Sequence, residues 1–273
     1  MSVARDAGAS QPFFESTGRR ALGVARLFRE LAAFALITLG VLITKLGVSR
    51  RVVHPLVLSE IWEAGVRLLP LISFLGIALG LLVIGQTTAL LTRLGAQQFI
   101  GTVMVTVVVR ELGPLLTAIV VLARAGTATV VELGTMRALG EVRALESLGI
   151  DPIHYLVMPR TLALATAVFC LTTYLILLAL LSGYCFAFLQ GVPVKPAAYF
   201  GQLGDALRWQ DFALLGLKTS LFGAVIAVVN CYHGLARRLA VADVSEVTAR
   251  AVVHSVTGCV VLDALFLVGY VFV

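Results

Sequence analysis

Charged residues are scarce in this sequence. Only 13% of the 273 residues are Asp, Glu, Lys or Arg, whereas an ordinary soluble domain carries about 25%. Apolar residues make up 59%, and the mean hydropathy is +0.99. A single soluble core cannot bury that share of apolar side chains, so the composition predicts a protein that lies mostly within a lipid bilayer. The formal charge of +6 comes from basic residues in short segments between apolar runs, which is typical of cytoplasmic membrane loops, and we expect no nucleic-acid partner.

Sequence motifs of catalysis, metal binding and nucleotide binding are also missing. There is no HExxH and no GxSxG, and the four histidines stand alone. The four cysteines form no CxxC pair, so we interpret them as small buried hydrophobic residues rather than metal ligands. The nearest approach to a phosphate loop, around Lys218, has Leu217 where that loop requires Gly. We therefore expect a non-enzyme without a cofactor, and any ATP-driven work must come from a partner.

Five long apolar runs predict five transmembrane helices in an all-α polytopic membrane protein. Their approximate bounds are 68–91, 99–123, 161–189, 211–231 and 251–272, within a permease domain of residues 67–273. Basic residues counted loop by loop place the N-terminus in the cytoplasm and the C-terminus outside it. Residues 124–160, between the second and third runs, form a charged segment that we interpret as a cytoplasmic hairpin.

The N-terminal region is predicted to hold a disordered tail, residues 1–18, and an interfacial elbow helix with its linker, residues 19–66. The apolar run from Leu31 to Thr44 spans 14 residues, or about 21 Å of helix, short of the roughly 30 Å hydrocarbon core. Basic residues flank it on both sides, which favours a helix lying in the cytoplasmic interface. A sixth span remains the alternative.

Four charged residues fall in the interior of the predicted spans, away from their ends: Arg110, Glu111, Lys218 and Asp263. Their formal charges cancel, which favours mutual pairing, and Arg110 and Asp263 have similar predicted depths. The four either form a buried network that fixes helix register or line a wet cavity that contacts a polar ligand. Lys218 lies seven residues inside its span and could extend its ammonium group outward, so we expect Arg110→Ala to be the more harmful of the two alanine variants. Pro114 removes the helical hydrogen bond to the Arg110 carbonyl and predicts a kink.

Two further patterns concern packing and the hairpin. Gly76 and Gly80 share a helix face at a spacing that lets another backbone approach, either from the same chain or from a second copy. In the hairpin, apolar residues recur every third position and predict one helix with one apolar stripe, ended by a turn at Gly149 to Pro152. The members of that stripe are Met136, Leu139, Val142, Leu145 and Leu148.

Several local sequences together resemble the MlaE/YrbE permease family. They are RELGP at 110–114, ARAG at 123–126, ELGTMR at 132–137, LESLGIDP at 145–152, the pair at Pro159 and Arg160, and RAVVHS at 250–255. Members of that family are membrane subunits of ABC transporters that move lipids across bacterial envelopes together with MCE proteins. The chain departs from the family pattern at Leu139, Gly140 and Glu141, where one carboxylate is lost.

The resemblance implies a homodimeric permease of the bacterial inner membrane with an elbow helix, five spans and a coupling helix. It implies a phospholipid cavity near Arg110, Glu111, Lys218 and Asp263, and a separate ABC ATPase that binds the ATP. Four hairpin residues would then couple to that ATPase: Glu132, Arg137, Glu141 and Glu146. An MCE-domain protein would be the outer partner. The alternative function is a secondary transporter or channel that works without an ATPase.

Overall fold

The computed structural model of the chain describes residue 26 and residues 29–44, 50–189, 196–235 and 241–271. The described residues contain helices and turns but no strand. The predicted disordered tail, residues 1–18, lies outside the described residues. The helical, polytopic fold class predicted from composition is confirmed, because five of the described helices are long and apolar enough to cross a membrane.

We number the helices α1 to α8 along the chain. Helix α1 covers residues 29–44. Helix α2 comprises Arg50–Ala64, a 3-10 turn at Val66–Leu68, and the segments Leu69–Leu79, Gly80–Ile84 and Gly85–Arg93. The remaining helices are α3 at Ile100–Ala138, α4 at Glu141–Ser147, α5 at Ile153–Leu189, α6 at Pro196–Ala206, α7 at Trp209–Leu235 and α8 at Val244–Val271.

The second spanning helix, α3, is longer than the sequence suggested. It does not end near Ala123 but continues to Ala138, for 39 residues or about 58 Å. Since the hydrocarbon core is only about 30 Å thick, α3 must project well beyond it. Charges that begin at Arg124 mark the edge of the apolar region, but they do not interrupt helical hydrogen bonding. The first arm of the predicted hairpin is therefore the end of α3.

The prediction that the hairpin forms one helix with a single apolar stripe is wrong. The chain turns at Gly140, which has φ +83°, so the segment divides between α3 and α4. Val142 is buried, whereas Leu139 and Leu148 are 65% and 74% exposed. The turn after α4 is confirmed, with Gly149 at φ +75°. A left-handed residue suits glycine, and at Gly140 it breaks the helical register on which the stripe depended.

Helix α5 lies at the centre of the bundle and packs against α2, α3 and α7. The glycine face of α2 meets α5 of the same chain, which decides between the two partners that the sequence left open. A Cβ added at Gly76 would lie 3.1 Å from the Leu175 carbonyl oxygen, and one at Gly80 would overlap the Ala179 carbonyl oxygen. In return, a Cβ at Gly183 would lie 2.5 Å from the Cβ of Ile84. The small residues thus bring two backbones into contact.

Helix α6 covers one end of the bundle, next to the start of α3. A Cβ at Gly101 would lie 2.5 Å from the Gln202 carbonyl oxygen, so these backbones are also close. Tyr199 is buried, and its hydroxyl donates to the Leu180 carbonyl oxygen at 3.3 Å. Burial raises the pKa of Tyr199 to about 12, so the phenol remains a hydrogen-bond donor.

Helix α8 exposes much of its apolar surface. Val253, Val260 and Leu265 are 61%, 51% and 66% exposed.

The cysteines only partly follow the prediction of buried small residues: Cys231 and Cys259 are buried, but Cys170 and Cys185 are exposed. Both of the exposed cysteines lie on α5, on surfaces that no described helix covers.

We predict that Gly80→Ala destabilises the protein, because the added methyl group overlaps backbone atoms of α5 that cannot move independently. Overpacking of this kind costs about 1 to 3 kcal/mol. The thermal unfolding midpoint of the purified protein in detergent should fall. Gly269→Ala is the matched control, since a Cβ there meets nothing within 4 Å. An unchanged midpoint for Gly80→Ala would contradict the close contact of α2 with α5.

Candidate functional site

Lys218 of α7 is fully buried and lies at the centre of a group of charges. Its Nζ is 2.7 Å from Asp263 Oδ1 on α8 and 3.4 Å from Glu111 Oε2 on α3. The same nitrogen donates a hydrogen bond to the Arg110 carbonyl oxygen at 2.8 Å. The expectation that Lys218 could extend outward is wrong, because its side chain has no exposed surface and three acceptors surround its ammonium group.

The backbone of α3 explains why the Arg110 carbonyl is available. Pro114 has no N–H to donate to that oxygen, as the sequence indicated. The preceding stretch, Val105–Leu112, adopts wider π-helical turns, and the Gly113 N–H bonds to the Val108 carbonyl, five residues back. The helix therefore continues through Pro114. The Lys218 ammonium group supplies the donor that proline cannot.

Arg110 pairs with Asp211 and not with Asp263, which was the residue of similar predicted depth. Its Nε lies 2.8 Å from Asp211 Oδ1, and its guanidinium carbon lies 5.1 Å from the centre of the Tyr270 ring. Asp211 is buried, and its Oδ2 accepts from the Arg208 N–H at 2.9 Å. We missed Asp211 as a site residue because it stands at the start of a predicted span. An acidic residue in the first turn of a helix interacts favourably with the helix dipole, and the position of Asp211 was the available signal.

We call these five residues the charged layer: Arg110, Glu111, Asp211, Lys218 and Asp263. Two cations face three carboxylates, so the layer carries one formal negative charge and is not neutral as the four predicted members were. The interior of the layer is closed, since the side chains of Lys218 and Asp211 are 0% and 3% exposed. Its edge is open, with the Arg110 and Glu111 side chains 26% and 27% exposed.

The two parts of the charged layer suit the two roles that the sequence left open. Lys218 and its acceptors fix three helices against one another, which is a structural role. Arg110 and Glu111 present a guanidinium and a carboxylate at the surface of the chain. A guanidinium matches the geometry of a phosphate group, and a carboxylate can accept hydrogen bonds from hydroxyl or amine groups.

A second group of charges lies towards the hairpin end of the bundle. Arg160 of α5 has a side chain that is only 5% exposed, and its Nε donates to Glu60 Oε1 of α2 at 2.9 Å. Its Nη2 lies 2.6 Å from Glu132 Oε1 of α3. We call Glu60, Glu132 and Arg160 the Arg160 cluster. The sequence drew attention to Arg160 only as part of a motif, and nothing in its spacing indicated these partners.

The four hairpin residues expected to contact an ATPase have different surroundings. Glu132 belongs to the Arg160 cluster, and Arg137 Nη1 lies 3.4 Å from Glu146 Oε1 across the turn between α3 and α4. Glu141 is exposed and makes no ion pair with any residue that the structure describes. Arg137 and Glu146 therefore contribute to the internal geometry of the hairpin, and Glu132 joins the end of α3 to α5.

Two histidines that are far apart in sequence meet between α7 and α8. His233 Nε2 lies 2.9 Å from His254 Nδ1, and the rings stack at 5.0 Å. Among the described residues, no group of three or more His, Cys, Asp or Glu side chains is arranged to hold a metal ion.

Nearby, the Tyr232 hydroxyl donates to Glu30 Oε2 at 2.5 Å and ties α1 to α7. The interfacial position of α1 stays a prediction.

Comparison with known proteins gives a consistent result. Residues 57–268 match the family described as Permease MlaE. The chain is 36% identical over 177 residues to the protein TRIGALACTOSYLDIACYLGLYCEROL 1, chloroplastic, of Arabidopsis thaliana, covering 63% of this chain but only 49% of that protein. It is 30% identical over 200 residues to a probable ABC transporter permease protein of Rickettsia prowazekii, covering 73% and 77% of the two chains. It is 26% identical over 247 residues to the intermembrane phospholipid transport system permease protein MlaE of Haemophilus influenzae, covering 89% and 91%.

The complete burial of Lys218 leads us to expect the opposite order of sensitivity at these two positions. We predict that Lys218→Met is more destabilising than Arg110→Met, because it leaves two carboxylates and a carbonyl without their buried donor. Removal of one partner from a buried pair costs about 3 to 5 kcal/mol. The yield and unfolding midpoint of the purified protein in detergent measure this order.

The double variant Lys218→Met with Asp263→Asn is the control, and it should recover part of the loss because it also removes a buried charge. Greater damage from Arg110→Met, or no recovery in the double variant, would show that Lys218 does not hold the charged layer together.

Proposed function

The chain belongs to the MlaE permease family, and from this premise we propose that it moves phospholipid as a homodimer coupled to a separate ATPase and to an MCE-domain protein. As a permease of the ABC class it is a multi-pass, non-catalytic membrane subunit, and a partner hydrolyses the ATP. The observation that carries the proposal is the family match, which extends over residues 57–268 and so includes the charged layer and the hairpin. We further propose the bacterial inner membrane as its location, with the N-terminus in the cytoplasm and the C-terminus in the periplasm.

Phospholipid is the proposed substrate for two reasons. The Haemophilus influenzae relative is named for intermembrane phospholipid transport. The open edge of the charged layer offers Arg110 for a headgroup phosphate and Glu111 for headgroup hydroxyl or amine groups. Exposed apolar residues of α8 supply a surface suited to acyl chains or to the second copy of the chain. The cavity in this proposal forms between the two copies.

The hairpin is the proposed contact with the ATPase. Leu139 and Leu148 at its turns are exposed, and so is Glu141. We assign the contact to these three positions, because the exposed carboxylates of Glu132 and Glu146 are already engaged in ion pairs with Arg160 and Arg137. The MCE-domain protein then meets the opposite end of the bundle, where α6 lies.

Helix α3 provides a physical route for the coupling. One continuous helix carries Arg110 and Glu111 near one end and Glu132 and Arg137 near the other. When ATP binding brings two ATPase subunits together, the attached hairpins move, and α3 changes its tilt as a rigid element. The edge of the charged layer moves with it, so the cavity narrows and releases the phospholipid. An autonomous carrier, the alternative function, has no structural observation in its favour.

We predict that the chain, purified from its own host, brings down a soluble ATPase, and that the complex moves fluorescent phospholipid between vesicles only when ATP is present. Hydrolysis by the partner must supply the work because the sequence contains no phosphate-loop motif. The same complex with a catalytically inactive ATPase is the control. Equal transfer with and without ATP would instead indicate a secondary transporter or channel.

We also predict that Leu139→Asp combined with Leu148→Asp reduces copurification of the ATPase, since two charges replace the exposed apolar residues at the hairpin turns. The fold should be retained because neither side chain is buried. Phe200→Asp, a 50% exposed residue on α6, is the matched control and should leave ATPase recovery unchanged. Normal recovery with both leucines replaced would place the ATPase contact elsewhere.

A further inference from the structure

Arg160 joins three helices that the proposed transport cycle would have to move together. It lies on α5, the central helix of the bundle, and contacts Glu60 of α2 and Glu132 of α3. Glu132 is on the part of α3 that leads into the hairpin. Arg160 is therefore the point where a charged side chain connects the hairpin arm to the packed bundle.

The two ion pairs of Arg160 differ in exposure. The guanidinium is nearly buried, so it requires carboxylate partners to offset the loss of water. The Glu60 side chain is 30% exposed and accepts a hydrogen bond from Nε, whereas the Glu132 side chain is 59% exposed. Water can solvate Glu132 when it moves away from Arg160, but the Glu60 carboxylate is more enclosed. Separation of Glu132 from Arg160 is thus the easier of the two movements.

The guanidinium also has an unused donor. Its Nη1 is buried and has no hydrogen-bond partner among the residues that the structure describes. A buried N–H group without an acceptor is unfavourable, so any movement that brings an acceptor to Nη1 would be stabilised. The surroundings are otherwise firmly packed, because Leu133, Val157 and Cys231 form an apolar cluster at this end of the bundle.

We propose that Arg160 is a positioning residue that transmits hairpin movement to the bundle, through an ion pair with Glu132 that opens and closes while its pair with Glu60 persists. The inference rests on the proposed function, since it assumes that an ATPase moves the hairpin. It assigns Glu132 to a contact within the chain rather than to the ATPase surface. Arg160 acts through its neighbours and touches neither the lipid nor the nucleotide.

Glu132→Gln tests this inference in the complete complex of the chain with its ATPase, reconstituted in vesicles. The substitution keeps the shape of an exposed side chain and removes only its charge. ATPase copurification and ATP hydrolysis should continue, while fluorescent phospholipid transferred per ATP hydrolysed should fall at least about fivefold, the lower range of coupling between sites. A loss of stability alone would lower both activities and leave their ratio unchanged.

Glu63→Gln is the matched control. Glu63 is exposed, lies on α2 close to Glu60, and pairs with Arg67 of the same helix, so that pair joins no two helices. Its transfer ratio should equal that of the unmodified protein. Arg160→Gln should lower the ratio as well, and the double variant with Glu132→Gln should be no worse than Arg160→Gln alone, because each substitution already removes the ion pair between Arg160 and Glu132.

An unchanged ratio for Glu132→Gln would overturn the inference, and so would effects of the two substitutions that multiply in the double variant. If Arg160→Gln does not fold, Glu132→Gln still decides, since its side chain is exposed. Failure of the proposed function gives a different result: the unmodified complex itself would transfer no phospholipid when ATP is added, and both proposals would fall.

Discussion

An ammonium group with no exposed surface, inside a bundle whose outer residues are apolar, is the constraint on which the rest of the structure depends. Lys218 can remain charged there only if acceptors surround it, because an unpaired charge at the centre of a membrane helix costs at least about 2.5 to 3.5 kcal/mol. The chain provides Asp263, Glu111 and the backbone oxygen of Arg110, each from a helix other than α7. Meeting this one requirement fixes the register of α3 and α8 against α7. It also accounts for Pro114, since the N–H that proline lacks leaves the Arg110 carbonyl oxygen free to accept from Lys218.

Helix α3 links this fixed layer to the hairpin. The layer contacts α3 at Glu111 and at the Arg110 carbonyl, and the Arg160 cluster contacts the same helix at Glu132. Between the two lie about 20 residues, or about 30 Å of helix, comparable to the hydrocarbon thickness. The Arg160 contact is the more exposed of the two, because the Glu132 side chain is 59% exposed whereas the Glu111 side chain paired with Lys218 is 27% exposed. If the hairpin moves, the exposed ion pair between Arg160 and Glu132 would therefore break first. The charged layer, further along α3, would respond to the change in tilt of that helix.

Much of the fold followed from the sequence, because long apolar runs have few alternatives to helices in a bilayer, and motifs such as RELGP indicated the family. The partners of individual charges did not follow. The sequence suggested that Lys218 could reach the membrane surface, because Lys218 lies only seven residues from the end of its span. That distance does not show which neighbours surround the Lys218 side chain. Asp211 looked like a boundary residue, and the contacts of Arg160 join positions about 100 residues apart in one case. The end of α3 was misplaced because the end of an apolar run marks the membrane boundary, whereas a helix ends where its hydrogen bonding ends, here before Gly140.

The central claim is that ATP binding by a partner moves the hairpin, and one distance measurement tests it most directly. Ala144 of α4 is exposed and lies outside the three positions assigned to the ATPase contact, so Ala144→Cys can carry a spin label after the four native cysteines are replaced by serine. Electron-spin distances between the two labels at position 144 of the proposed dimer, recorded in the ATPase complex with and without a non-hydrolysable ATP analogue, report how far the hairpins move. The account predicts a shorter distance with the analogue bound. An identical distance in both states, in a complex that transfers phospholipid when it hydrolyses ATP, would contradict it.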